Sequence, residues 1–249
     1  MTTMAASAQS LLRVWEAQQR AHPVQRALHL LADAWPEPGW EGWLHAPIGV
    51  RDGALMNLCE SLFGSALHTT TACPHCGQRL ESEFNVRDLQ SAPGASADSA
   101  EALSLDEHGW AIAYRLPTSD DLLHVCAMPR NADDAARLLM RRCVSLAQRG
   151  AEAVDAEALP DEIVTALGAE MARHDPDADV QIELSCPACC KASTMHFDVV
   201  SYLWSELDDW AQRTLADVHT LARAYGWSED AILSLGPMRR QIYLDMVAA

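Results

Sequence analysis

Apolar residues recur at steps of three and four through much of the chain, the spacing of amphipathic helices. Residues 8–22 carry Leu11, Leu12, Trp15 and Ala21 in that register, and residues 24–34 carry Leu28 and Leu31, with Trp35 continuing it. Further helices are predicted over 51–63, 131–148 and 161–173. The longest covers about 200–225, where Trp204, Leu207, Ala211, Leu215, Val218, Ala222 and Tyr225 form a stripe that Leu203, Trp210 and Leu221 widen. Such a helix is either central or covered by another chain. Gly226 is placed to end it, Ser228 to cap a short helix (SEDAILSL), and Pro237 to start a last one (PMRRQIYLDMV). Strand-like runs precede residues 73 (ALHTTTA) and 186 (VQIELS), and Trp110–Leu116 reads as a strand ahead of Pro117. Thr118 or Ser119 then caps a helix with Asp120 and Asp121 in its first turn.

Between these elements, 35–49 (WPEPGWEGWLHAPIG) reads as a Pro/Gly/Trp loop, packed over the core or anchoring a partner through Trp35, Trp40 and Trp43. Residues 91–105 read as an Ala/Ser/Gly-rich linker, and 175–179 (DPDAD) as a solvated acidic turn without the ligand spacing of a calcium loop.

An internal repeat is the sharpest feature. CPHCGQRLESEFNV (73–86) and CPACCKASTMHFDV (186–199) share Cys-Pro-x-Cys, seven residues, Phe, Asn or Asp, then Val. Each copy reads as strand, knuckle, strand. A C-x-x-C turn aims two thiolates at one metal ion, and two turns give the four sulfurs that suit tetrahedral Zn²⁺. Cys73, Cys76, Cys186 and Cys189 are therefore the candidate ligands of one structural zinc ion, a closed site with no open coordination position. Cys59, Cys126 and Cys143 read as buried small hydrophobes. Cys190 stands where a knuckle usually has Gly. His68, His75 and His196 lie near the knuckles as surface or supporting residues. Two other readings stay open. C-P-H-C also frames the active site of thiol oxidases, where a helix N-terminus lowers the first thiol's pKa. A ribbon that has lost its metal would keep the same spacing.

Composition bounds the partners. The chain has 249 residues and a formal charge of −17, from 35 acidic and 18 basic side chains. Residues 91–180 hold 17 of those acids and seven of those bases. Nucleic-acid binding needs clustered Lys and Arg, and Arg239 with Arg240 alone make no basic face. No apolar run reaches a membrane span, and the N-terminus shows no basic and apolar leader, so the expected location is cytoplasmic. No Walker loop, G-x-G-x-x-G, H-E-x-x-H or G-x-S-x-G is present, and no enzymatic activity is expected.

Together these features predict an α+β fold, mainly helical, with a split four-cysteine zinc ribbon made of two β-hairpins and a C-terminal helical segment. The expected division is an N-terminal helical segment (1–64), the first half of the ribbon (65–90), an inserted acidic α/β segment with a linker (91–179), the second half (180–200) and the C-terminal helices (201–249).

Leu203, Trp204 and Glu206, the Val-His-x-Leu-Ala step at 218–222, Tyr-Gly-Trp at 225–227 and Arg-Arg-x-x-Tyr-Leu at 239–244 go together with YRLPTSDDL at 114–122. In these motifs the chain resembles the baseplate-hub assembly and accessory proteins of T-even-like phage tails and extracellular contractile injection systems. The likeness is densest over about the last 70 residues. It implies a non-enzymatic structural or assembly protein, chaperone-like, whose partners are baseplate, hub or spike components. It points to Trp204, Trp210, His219, Tyr225, Trp227, Arg239 and Arg240 as candidate partner-binding residues. A cytoplasmic thiol-redox protein using CPHC is the alternative.

Overall fold

Helices and short antiparallel strands alternate along the chain, in a computed structural model that describes residues 6–91, 103–128 and 131–248. They form two compact units, residues 1–40 with 200–249, and residues 41–199. The fold is α+β, with hairpins set among a majority of helices.

The first unit is helical. It holds α1 (Ala8–Ala17), α2 (Pro23–Ala34), most of α8 (Val199–Tyr225), α9 (Glu229–Leu233) and α10 (Pro237–Ala248). α1 stops at Ala17, short of the predicted residue 22; Gln18 leaves helical geometry and Pro23 starts a new helix. The 27 residues of α8 span about 40 Å. Its Ala211, Val218 and Leu221 bury against Leu12 of α1 and Ile232 and Leu233 of α9. Polar contacts lock this arrangement: the Trp15 indole N–H donates to Asp208 (2.8 Å) and the Gln9 amide to Asp230 (2.8 Å). Gly226, at φ +69°, closes α8 by donating its N–H to the Ala222 carbonyl, and the Ser228 hydroxyl caps α9.

The Trp-rich segment read as a loop contains α3 (Gly39–His45). Trp40, Trp43 and Leu44 follow helical spacing, Gly39 supplies a left-handed entry (φ +73°), and Glu41 faces His45 one turn on. All three tryptophans are half-buried.

The second unit begins with α4 (Ile48–Phe63) and the hairpin β1 (Ala66–Ala72)–β2 (Arg79–Asn85). β3 (Leu103–Glu107), β4 (Trp110–Tyr114), β5 (Val144–Arg149) and β6 (Glu152–Ala153) form a four-stranded antiparallel sheet in chain order. α5 (Ser119–Cys126) and α6 (Ala132–Cys143) lie between β4 and β5, α7 (Asp161–His174) follows the sheet, and β7 (Gln181–Ser185)–β8 (Ala192–His196) is the second hairpin. Trp110, Ile112 and Tyr114 of β4 form the sheet's core with Ile163, Leu167 and Met171, which sit one turn apart on α7.

One expectation fails in this unit. The helix read over 131–148 ends at Cys143, and 144–149 is strand β5. Its backbone pairs with β4, from Tyr114↔Val144 to Trp110↔Arg149, and that ladder overrides local helix propensity. The linker expected over 91–105 lies outside the described residues for 92–102, and its last three residues begin β3.

Candidate metal centre

The two hairpins are built alike. In the first knuckle the Cys73 N–H donates to the Gln78 carbonyl (2.8 Å) and the Gly77 N–H to the Cys73 carbonyl (2.9 Å). In the second, the Cys186 N–H donates to Lys191 (3.0 Å) and the Cys190 N–H to Cys186 (2.8 Å). Every partner is displaced by the same 113 positions, from 73 to 186 and from 78 to 191. Gly77 and Cys190 occupy the same left-handed position, at φ +75° and +56°. Glycine takes that conformation freely, whereas cysteine strains its Cβ.

These turns bring four sulfurs together. Cys73 Sγ lies 3.7 Å from Cys189 Sγ, and Cys76 Sγ lies 3.7 Å from Cys186 Sγ. All four sit within 4.8 Å of one another. A tetrahedral ion with metal–sulfur bonds of about 2.3 Å requires sulfur–sulfur edges of about 3.8 Å. The observed spacing is near that edge and nearly twice a disulfide bond. The four cysteines could therefore hold one metal ion. Cys73 and Cys186 are buried beside Leu80, while Cys76 faces solvent.

The backbone tunes the thiols. The His75 N–H holds Cys73 below its ordinary pKa, and the Cys189 N–H draws Cys186 down to about 7. Against the pull of the Gln78 N–H, burial and Cys186 push Cys76 up; against that of Lys191, burial and the other thiols push Cys189 up to about 12. Four acids share one small space, and only a cation lets all of them ionise.

The surrounding residues fall largely as expected. His68, His75 and His196 are exposed and outside the thiol cluster, with His196 Nδ1 2.7 Å from Asp179. Cys59 and Cys143 are buried, and burial pushes Cys143 up to about 12. Cys126, expected inside, is exposed: it ends α5 on the solvent side.

The seven candidate partner residues do not share one spot. Trp204 is nearly buried, with the Arg26 guanidinium stacked 4.4 Å above its ring. Twenty-one residues and about 30 Å further along α8, Tyr225 stacks on Trp227 (4.7 Å), and Tyr243 meets both rings edge-on. Trp210 is half-buried against the core around Ala211, His219 and Arg239 are exposed, and Arg240 is turned inward at 8% exposure.

Two buried carboxylates escaped the sequence reading. Asp121 is fully buried, gripped by Arg115 through both oxygens (2.6 and 2.9 Å), by Arg142 Nε (2.8 Å), and by the backbone and hydroxyl of Thr118. Burial alone would raise its pKa; these donors hold it well below the usual carboxylate range. Asp175, placed in a solvated turn, is 2% exposed. It accepts the Gly49 N–H (2.9 Å) at the start of α4, which has no cap of its own. Its other oxygen is packed against Gly49, where a Cβ would meet it at 2.1 Å. Asp121 reads in sequence as an ordinary first-turn acid, and nothing local signals the burial of Asp175.

A family profile described as T4 bacteriophage base plate protein matches residues 30–203. That span encloses both knuckles and the Asp121 network, and leaves α8 beyond residue 203, α9 and α10 outside, so the match lies over the first and middle parts of the chain and not over the last 70 residues, where the likeness was expected to be densest. Searches of curated proteins and of solved structures give no match. No helix among the described residues is long and apolar enough to cross a membrane.

Proposed function

The chain belongs to the T4 bacteriophage base plate protein family, and on that premise we propose that it is a non-enzymatic assembly protein for the baseplate or hub of a contractile tail-like particle, stapled by one structural zinc ion. The observation that carries this reading is the family match itself, because it runs through both knuckles. Cys73, Cys76, Cys186 and Cys189 would hold the ion as thiolates. Zinc would supply a closed four-sulfur clamp and no open position for chemistry. The protein's own contribution is to fix the thiols: paired hairpins set the turns, Leu80 covers them, and backbone N–H groups face the sulfurs.

The partners would be baseplate, hub or spike components met in the cytoplasm during assembly. The acidic character of 91–180 supports this, since it favours a basic partner and steers its approach. The aromatic group at Tyr225, Trp227 and Tyr243 offers rigid anchors for a partner. The thiol-redox alternative needs an exposed first thiolate, and Cys73 is 2% exposed, which supports the clamp instead.

Native mass spectrometry of protein purified from its own cells without chelator tests the proposal. One zinc per chain with a co-purifying tail component is the expected result. A metal-free chain carrying a Cys73–Cys76 disulfide would overturn it.

A further inference from the structure

Nine large apolar side chains are exposed among the described residues, and four of them, Met238, Ile242, Met246 and Val247, lie on the twelve-residue α10. Three of these form a line. Met238 (81% exposed), Ile242 (48%) and Met246 (61%) follow each other at steps of four, so they share one face within about 40° of Ile242. The opposite face is already used: Arg240 is buried there, and Tyr243 and Leu244 pack against the core of α8 and α9. α10 is thus apolar on two sides, and among the described residues only one of them is packed against the core.

The flanks of the open face say what covers it. On a helical wheel centred on Ile242, Arg239 lies about 60° to one side and Asp245 about 60° to the other. Both are exposed, with Gln241 holding the Asp245 carboxylate in place (2.8 Å). One flank is basic and the other acidic. When two copies of such a helix pack side by side and parallel about a two-fold axis, the basic flank of each meets the acidic flank of the other. Antiparallel packing would instead set Arg239 beside Arg239 and Asp245 beside Asp245, which costs energy.

We infer that the Met238–Ile242–Met246 face of α10 is a self-association surface, which pairs in parallel with α10 of a second copy of this chain, with Arg239 of each copy facing Asp245 of the other. The inference goes beyond the proposed assembly role and needs neither the metal nor a tail partner. A helix about 18 Å long offers less than the ~1,200 Å² of a stable interface, so the dimer is weak and fills with concentration. The two methionines suit a surface that forms and releases, because their side chains adapt without fixed shape.

Sedimentation velocity of the full-length, metal-loaded protein from about 5 to 500 µM tests this. The mass is expected to rise from one chain towards two over that range. Ile242→Glu should hold it at one chain without moving the melting temperature, since the residue is half-exposed and outside the core. Arg239→Asp should abolish the dimer by setting acid against acid, and the double exchange Arg239→Asp with Asp245→Arg should restore it. A wild-type chain that stays single at every concentration overturns the proposal, as does a dimer that survives Ile242→Glu. A dimer unchanged by Arg239→Asp would overturn the parallel arrangement. Binding of a tail component that is lost in Ile242→Glu while the wild type stays single would assign the face to that partner instead.

Discussion

The thiol cluster and the Asp121 network each gather ionisable groups from distant parts of the chain, and they differ in what balances them. Asp121 is surrounded by its own counter-charges. Arg115 and Arg142 grip it, Arg142 also reaches Asp120 (2.8 Å), and Thr118 closes the capping box at the start of α5. The four thiols lie within 4.8 Å of one another and are faced by backbone N–H groups. One centre is complete in protein alone, and on the proposed reading the other would be completed by an ion from outside. That difference sets how each will fail.

The largest effect should come from removing the ion. Structural zinc supplies about 10–16 kcal/mol in small peptides; in this larger unit a loss on the order of 5 kcal/mol is expected on chelation. Cys73→Ser or Cys186→Ser should loosen both hairpins together, since they share one site. Limited proteolysis of each variant checks this: if one hairpin keeps its protection and the protein its metal, the two knuckles do not share an ion. The Asp121 network should be indifferent to chelator.

Asp121→Ala should cost about 2–3 kcal/mol, measured by urea unfolding, because it removes the acceptor of two guanidinium groups, whose own exposure lets water take up part of the loss. Zinc content should stay at one per chain. Loss of metal in this variant would show that the two centres are one cooperative structure.

How much of each centre the sequence reveals follows from the same contrast. The thiol site announces itself because one chemical group recurs at a fixed spacing, so Cys73, Cys76, Cys186 and Cys189 could be chosen without knowing the fold. Asp121 looked like an ordinary first-turn acid, since its burial depends on Arg142 arriving from α6. Another non-local pairing, the backbone ladder with β4, turned 144–148 from predicted helix to strand. Asp175 is the extreme case: its partner is the backbone of Gly49, 126 positions away, which carries no side-chain signal at all.

Asp175 also lies between the two centres in completeness. Burial and the nearby Asp177 and Asp52 raise its pKa to about 6, against the pull of the Gly49 N–H and Arg51. The folded state therefore holds its proton more tightly than the unfolded chain, whose carboxylate titrates near 3.9. Its favourable contribution is complete below about pH 4 and is lost as pH rises through about 6. Asp175→Asn keeps an acceptor for Gly49 and removes the charge. It should raise stability at pH 7.5 by about 2 kcal/mol and by much less at pH 5. The difference between variant and wild type isolates this residue from thiol protonation. A difference that does not change with pH would mean that Asp175 stays charged when buried.

The smallest effect separates the two knuckles from each other. Gly77 and Cys190 take the same left-handed turn after the second cysteine of each pair, and only Cys190 carries a side chain there. A Cβ on Gly77 would meet nothing within 4 Å, so the difference between the turns is backbone strain and not crowding. Cys190→Gly should stabilise the protein by about 0.5–1 kcal/mol, and Gly77→Ala should destabilise it by a similar amount. Both variants should keep one zinc per chain, because Cys190 lies outside the four-sulfur cluster. Thermal unfolding with metal analysis reads both quantities from one sample. Loss of the ion in Cys190→Gly would make the strained cysteine a ligand and break the equivalence of the two turns.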